Sequence, residues 1–354
     1  MRILVISLAG IGNTLLSTPA VRLLRETFPE AHIAALVMFK GARELLETNP
    51  YIDEVLYWDF LNRNPIRSLN FLFYLRKRKF DVSLNAYPAN RREYNLISFL
   101  IGAKKRLGHR YNHQDSLNFN FLNNRTIHEE DERHDIEENI ALVQVLGCKG
   151  REGRGGEIWL ADADRRFAEE WLSKEKLEDG LLIGFHPGTA RFKNQQRRRW
   201  AKEKFAQLAD ILSKRYKAKT IIFGGPDEIQ LAEEILALME CKGYLAKGIT
   251  LRQTAALIER CDLFVSNDSG LMHVAAALKV PVVAIFGPTN PVWVRPYCTK
   301  YTIVRKELPC SPCFFYSPQP LSCRRGDFAC IDQIDVEDVL NGVMKLMKSE
   351  GLVT

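Results

Sequence analysis

Residues 261–288 read CDLFVSNDSGLMHVAAALKVPVVAIFGP. The first apolar run predicts a strand, Asp268-Ser269-Gly270 a polar turn opening a small-residue helix, and the second apolar run another strand ending at Gly287-Pro288. Unpaired N–H groups and the positive end of the dipole make such a helix start a binding place for phosphate oxygens. Gly270 lets a ligand approach the backbone, Ser269 adds a hydroxyl, and Asp268 either caps the helix or accepts from a ligand hydroxyl. His273 falls one turn on, roughly on the face of Ser269. The competing reading makes Asp268 an ordinary N-cap and His273 a core histidine.

The same strand-and-helix alternation runs through the whole chain. Apolar strands at 3–8, 33–37, 54–57 and 81–84 alternate with helical segments at 14–26, 41–47, 66–79, 89–101 and 135–146. After a Gly-rich, charged stretch at 147–156, which reads as a linker, strands at 181–185 and 220–223 alternate with helices at 202–216, 227–240 and 251–260. A chain of 354 residues is too long for one ordinary core, so two α/β domains are expected. We place them at 1–155 and 156–332, with a C-terminal helix in 333–354. Two open parallel sheets in tandem imply a ligand cleft at the carboxyl ends of the strands.

Fifty Lys and Arg against 43 Asp and Glu give a net charge of +7, which suits an anionic ligand and does not argue for nucleic acid. No apolar stretch reaches the roughly 18 residues of a membrane span, and Met1–Ser7 reads as a strand, so a cytoplasmic protein is expected. Between Arg63 and Lys79, cations alternate with Leu69, Phe71, Leu72, Phe73, Tyr74 and Leu75. That stretch suits a helix lying on a membrane surface, or a half-buried helix with a solvated basic face.

Three more turns follow strands. Gly10-Ile11-Gly12-Asn13-Thr14 opens the first helix, but lacks the third glycine of the dinucleotide fingerprint, which argues against an NAD-dependent oxidoreductase. His186-Pro187-Gly188-Thr189 leads into a basic loop, Arg191 to Trp200, whose cations can clamp phosphates. In Gly224-Gly225-Pro226-Asp227-Glu228 a carboxylate stands at a helix start, where it caps the helix or accepts from a ribose hydroxyl.

Taken in order, residues 8–29, His186-Pro187-Gly188 with Arg199-Trp200 downstream, and 266–288 resemble glycosyltransferase family 9, the bacterial lipopolysaccharide heptosyltransferases and their relatives. The resemblance spans nearly the whole chain. It implies the GT-B fold, two Rossmann-like domains with parallel sheets facing across a central cleft, and a C-terminal helix returning to the first domain. It further implies an inverting, metal-independent transfer from a nucleotide-diphosphate sugar, most often ADP-heptose, to a lipopolysaccharide core or lipid-linked glycan acceptor, at the cytoplasmic face of the inner membrane. In that picture the second domain holds the donor through His186, Thr189, Lys193, Arg199, Glu228, Asp268, Ser269, Gly270 and His273. Gly10, Gly12 and Asn13 form the acceptor loop. The family usually has Asp where this chain has Asn13, and that Asp is held to be the general base. An amide does not titrate near neutral pH, so Asn13 orients the acceptor at most. His186 and Glu93 are then candidate bases, and a non-catalytic sugar-nucleotide-binding relative is the alternative.

Catalysis therefore calls for no cofactor, but the cysteines carry a separate signal. Cys310-Ser311-Pro312-Cys313, then Cys323 and Cys330, have a spacing that suits a structural zinc site, and disulfides are disfavoured in the cytoplasm. Reduced loop thiols are the other reading.

Overall fold

The computed structural model describes residues 1–150, 153–190 and 192–353. The chain divides into two compact units: Met1–Trp159 with Phe315–Pro318, and Leu160–Phe314 with Gln319–Thr354. The boundary thus falls just after the Gly-rich linker, of which Arg151 and Glu152 lie outside the described residues.

Each unit is built on a six-stranded, fully parallel sheet. In the first, β1 (Arg2–Ser7), β2 (His32–Val37), β3 (Glu54–Tyr57), β4 (Val82–Asn85), β5 (Lys105–Arg110) and β6 (Arg125–His128) lie in the order β3-β2-β1-β4-β5-β6. In the second, β7 (Leu182–His186), β8 (Lys219–Phe223), β9 (Gly243–Ala246), β10 (Leu263–Asn267), β11 (Val282–Ile285) and β12 (Tyr301–Val304) lie in the order β12-β11-β10-β7-β8-β9. Both are the doubly wound order, in which the winding reverses beside the first strand. Each unit therefore has a switch point where a crevice opens at the carboxyl ends of the strands, between β1 and β4 and between β7 and β10.

The central strands form because they are apolar on both faces and helices cover both sides. β7, β10 and β11 are buried along their full length, as are the last five residues of β1 and β2. Register is set at the centre, with Ile3 opposite Ile33 and Val82, and Val265 opposite Phe185 and Val283. The second core gathers Phe185, Trp200, Phe205, Val265, Ile285 and Leu340, and a core of the first gathers Leu4, Ile6, Leu36, Leu75 and Phe80.

The sequence reading takes the C-terminal helix back to the first domain. In the structure Val336–Ser349 packs on β11, β12 and helix Lys202–Tyr216, within the second unit. Its stripe of Val339, Leu340, Val343, Leu346 and Met347 is buried there. Gly342 allows the close approach, since a Cβ would stand 3.0 Å from Val304 Cγ2 and 3.3 Å from Val283 Cγ1. The segment that joins the first unit is Phe315–Pro318. Phe315 lies against His113, and the Tyr316 hydroxyl donates to Asp135 at 2.6 Å.

Candidate functional site

The switch point of the second unit carries a connected polar cluster. β7 ends at His186 and β10 runs into Asp268-Ser269, and the sheet register places His186 opposite Ser266. His186 Nδ1 lies 2.7 Å from Ser269 Oγ, and Nε2 lies 3.2 Å from Glu228 Oε2. In the neutral ring the carboxylate draws the proton to Nε2, so Nδ1 accepts from Ser269. Glu228 reaches this point from the Pro226–Glu228 turn after β8, and also accepts from the Gly225 N–H at 2.9 Å. Burial pushes its carboxyl up, but His186, the Gly225 N–H and Arg199 outweigh burial and hold it below the ordinary range. Gly188 is required for this arrangement, because a Cβ there would run into the Glu228 carboxylate.

The helix that follows Ser269, Gly270–Ala277, has no side-chain cap. Ser269 stands in the capping position but gives its hydroxyl to His186, and Asp268 faces Arg198, whose Nη1 donates to it at 2.6 Å. The expected choice for Asp268 between helix cap and ligand group thus resolves as neither in this state: it holds an arginine. The first N–H groups of the helix have no side-chain acceptor, and Ser269 and Gly270 are half-exposed. His273 is a buried neighbour of this pair. Burial pulls it down to about 4, helped by Arg198 and opposed by Asp268, so it is neutral near pH 7.

The basic loop becomes specific once folded. Arg197 lies over the Phe328 ring, Arg198 reaches Asp268 and Thr289 Oγ1, and Arg199 donates to the Thr189 carbonyl at 2.6 Å and the Thr189 hydroxyl at 3.2 Å. Arg198 Nε is buried with no partner. Thr189 is buried and its hydroxyl donates to the Gln195 carbonyl, so it braces the loop. Lys193 adopts a left-handed conformation, and its carbonyl accepts from Leu321 N–H. Asn267, fully buried, donates to the Pro187 carbonyl and accepts from Trp200 N–H, tying the loops after β7 and β10 together. Arg191 lies outside the described residues. Sequence reasoning had not singled out Arg198 or Asn267; the arginine run was visible, but which of three consecutive arginines turns inward is set by the turn geometry of 192–198.

At the switch point of the first unit the Gly10 carbonyl accepts from Thr14 N–H, and Ser7 and Thr14 hydroxyls meet at 2.8 Å. Asn13 is half-buried in the first turn of helix Ile11–Leu16, which is uncapped at Gly10. A Cβ on Gly10 would meet nothing within 4 Å. Gly12 is buried. Glu93 is exposed and pairs with Arg92. His109 is buried against Tyr87 and Glu138.

Cys310, Cys313, Cys323 and Cys330 line one small cavity of the second unit. All are free thiols, and burial with the neighbouring Cys313, Cys323 and Cys310 pushes Cys330 up to about 11. As the side chains are placed, no group of three or more His, Cys, Asp or Glu among the described residues stands in metal-holding geometry.

Comparison with known proteins follows the same outline. The family profile of glycosyltransferase family 9 (heptosyltransferase) matches residues 71–320. Lipopolysaccharide heptosyltransferase 2 of Escherichia coli (strain K12) is 29% identical over 326 residues, covering 86% of this chain and 88% of that protein. Among solved structures, a glycosyl transferase family 9 protein from Veillonella parvula superposes with a TM-score of 0.81 at 28% identity, covering 98% of this chain and 97% of that one. The E. coli ADP-heptose lps heptosyltransferase II shares the fold with a TM-score of 0.75 at 23% identity, covering 99% and 100%.

Proposed function

The chain belongs to glycosyltransferase family 9, and from that premise we propose that it moves a heptose from ADP-heptose onto a lipopolysaccharide core or related glycan acceptor, with inversion and without a catalytic metal. The observation that carries this reading is the β7–β10 switch point, where an uncapped helix N-terminus stands beside Arg198, Arg199 and the Ser269-His186-Glu228 chain. The diphosphate lies against the N–H groups after Ser269. Arg198 and Arg199 neutralise the charge that builds on the leaving group, and Glu228 accepts from a ribose hydroxyl. Donors fixed in place before the reaction cost no reorganisation when charge develops, which is how such a site lowers a barrier. Asp268, Thr189 and Asn267 hold the cations and loops in position.

In the transfer, the acceptor oxygen attacks the anomeric carbon opposite the diphosphate, the bond from that carbon to the diphosphate oxygen breaks, and ADP leaves with the electron pair. The acceptor proton must go to a base. Asn13 cannot take it, and orients the acceptor hydroxyl. An NAD-dependent oxidoreductase is not favoured, because the matching family and the relatives named above are glycosyltransferases.

We place the reaction at the cytoplasmic face of the inner membrane. Among the described residues no helix is long and apolar enough to cross a membrane. Helix Pro65–Lys77 instead exposes Ile66, Leu69, Phe73 and Tyr74, and residues 60–80 contain no acidic side chain. An apolar face flanked by Arg63, Arg67 and Lys77 suits an anionic lipid surface.

The test is transfer itself. Protein, ADP-heptose and heptose-deficient lipopolysaccharide, with and without added magnesium, should release ADP and extend the acceptor equally, with the anomeric configuration inverted by NMR. Donor binding without transfer to any core acceptor would instead support the non-catalytic relative.

A further inference from the structure

We infer that Cys310, Cys313, Cys323 and Cys330 form a four-thiolate site for one divalent metal ion, zinc or ferrous iron, in the second unit. Spacing suggested these four residues, although only Cys310 and Cys313 form a C-x₂-C pair. The fold brings them to one place. All four cysteines, twenty residues apart at the extremes, line a single cavity of about 10 Å³, close to the space of one small occupant.

Two turns present the thiols. The first, Cys310–Cys313, is pinned to the end of β11: Ser311 Oγ donates to the Gly287 carbonyl at 2.9 Å, and Cys313 and Phe314 N–H groups donate to the Pro288 carbonyl at 2.9 and 3.0 Å. The second is Cys323-Arg324-Arg325-Gly326, closed by Gly326 N–H to the Cys323 carbonyl at 3.1 Å. Gly326 has φ +85°, a conformation that favours glycine, and this lets the turn fold back over its own cysteine. Cys330 closes the cavity from helix Ala329–Asp332, its sulfur beside Gly287.

Charge and chemistry agree with a metal of this type. Four thiolates around a dication leave a net charge of −2, and Arg325 lines the cavity while Arg324 lies near Cys313. Asp327, the only carboxylate lining it among the described residues, is paired with Arg325. An all-sulfur tetrahedral set selects zinc or iron over magnesium or calcium. Binding draws the sulfurs in to about 2.3 Å from the ion and releases their protons to solvent. The ligands flank the excursion that carries Phe315–Pro318 to the first unit, so the ion fixes both ends of that loop.

Protein made in medium holding both zinc and iron, purified without chelator or metal-affinity tag, should carry about one zinc or iron per chain by mass spectrometry. Zinc gives a colourless protein whose cobalt form shows thiolate charge-transfer bands; iron gives visible charge-transfer bands directly. Cys313→Ser, at an exposed position, and Cys323→Ser should each lose most of the metal, while Cys298→Ser keeps it. Wild-type protein with metal far below stoichiometry, whether its thiols are free or joined as a disulfide, would overturn the assignment, as would full metal content in both ligand variants.

Discussion

Replacing Asn13 with Asp tests whether the acceptor side of this enzyme lacks its base. The change is nearly isosteric, and the structure states what the new carboxylate would meet. Asn13 is the third residue of helix Ile11–Leu16, half-buried, after a glycine that provides no cap. A carboxylate in a first turn gains about 0.3–1 kcal/mol from the helix dipole. That interaction favours the charged form, so the folded pKa falls below the ordinary Asp value of about 3.9. The added stability is present above that value and disappears as pH falls through the folded pKa. At pH 7–8 the group is ionised and able to accept a proton. A general base contributes about 10²–10⁴ in rate, or about 2.7–5.4 kcal/mol of barrier. N13D should therefore raise kcat for heptose transfer at least about 100-fold, with little change in KM for the donor. The assay is steady-state ADP release with acceptor, paired with thermal unfolding at pH 7. A variant that gains stability but turns over within about threefold of wild type would refute the reasoning, because the carboxylate is then in place and another group already serves as base.

Three further outcomes follow from the donor site and the basic helix. Glu228→Gln removes a buried carboxylate held below its ordinary range, so the variant should lose about 1–3 kcal/mol at pH 7 and close the gap to wild type as pH falls below the ordinary glutamate range and through the lowered folded pKa, measured by denaturant unfolding across pH. Gly188→Ala forces that carboxylate aside; calorimetry should show weaker ADP binding together with about 1–3 kcal/mol of lost stability, and unchanged ADP affinity would remove Gly188 and Glu228 from the nucleotide site. Phe73→Glu, at an exposed position, should reduce co-sedimentation with anionic vesicles while leaving transfer to a detergent-dispersed acceptor intact, and equal sedimentation would dismiss the membrane face.

Most of the strands legible in the sequence are those whose two faces are both covered; β3, an edge strand of intermediate burial, is an exception. β1, β2, β7, β10 and β11 read as continuous apolar runs because burial on both sides forbids alternation. β5 (KRLGHR), β6 (RTIH), β9 (GYLA) and β12 (YTIV) were not anticipated, and all but β5 are edge strands. With one neighbour and exposed faces they need little apolar content, and their pairing comes from the adjacent strand. Helix Asp162–Glu175 was missed for a related reason: it buries only Asp164, Ala168 and Leu172, too narrow a stripe to stand out among charges.

The site was legible as a set of turns but not as a network. Asp268, Ser269 and His186 were visible because each follows a strand that the sequence declares, and strand ends at a switch point are where ligands bind. Their partners depend on distances across the sheet. Ser269 caps nothing because His186, 83 residues earlier, takes its hydroxyl, and Asp268 caps nothing because Arg198, 70 residues earlier, takes its carboxylate. A helix start flanked by two good capping residues, with both turned to other partners, leaves its N–H groups for something else to satisfy. In the proposed function an anion supplies that acceptor, and an oxygen-rich leaving group that gains charge as its bond breaks is held more tightly in the transition state than before it. The same logic applied to the first unit ends differently. Its helix start is also uncapped, yet the residue placed there is an amide, so the two switch points are alike in fold and unequal in chemistry. In the proposed reaction, donor activation is built into the second unit, and the proton of the acceptor is the step this chain must solve without a carboxylate at Asn13.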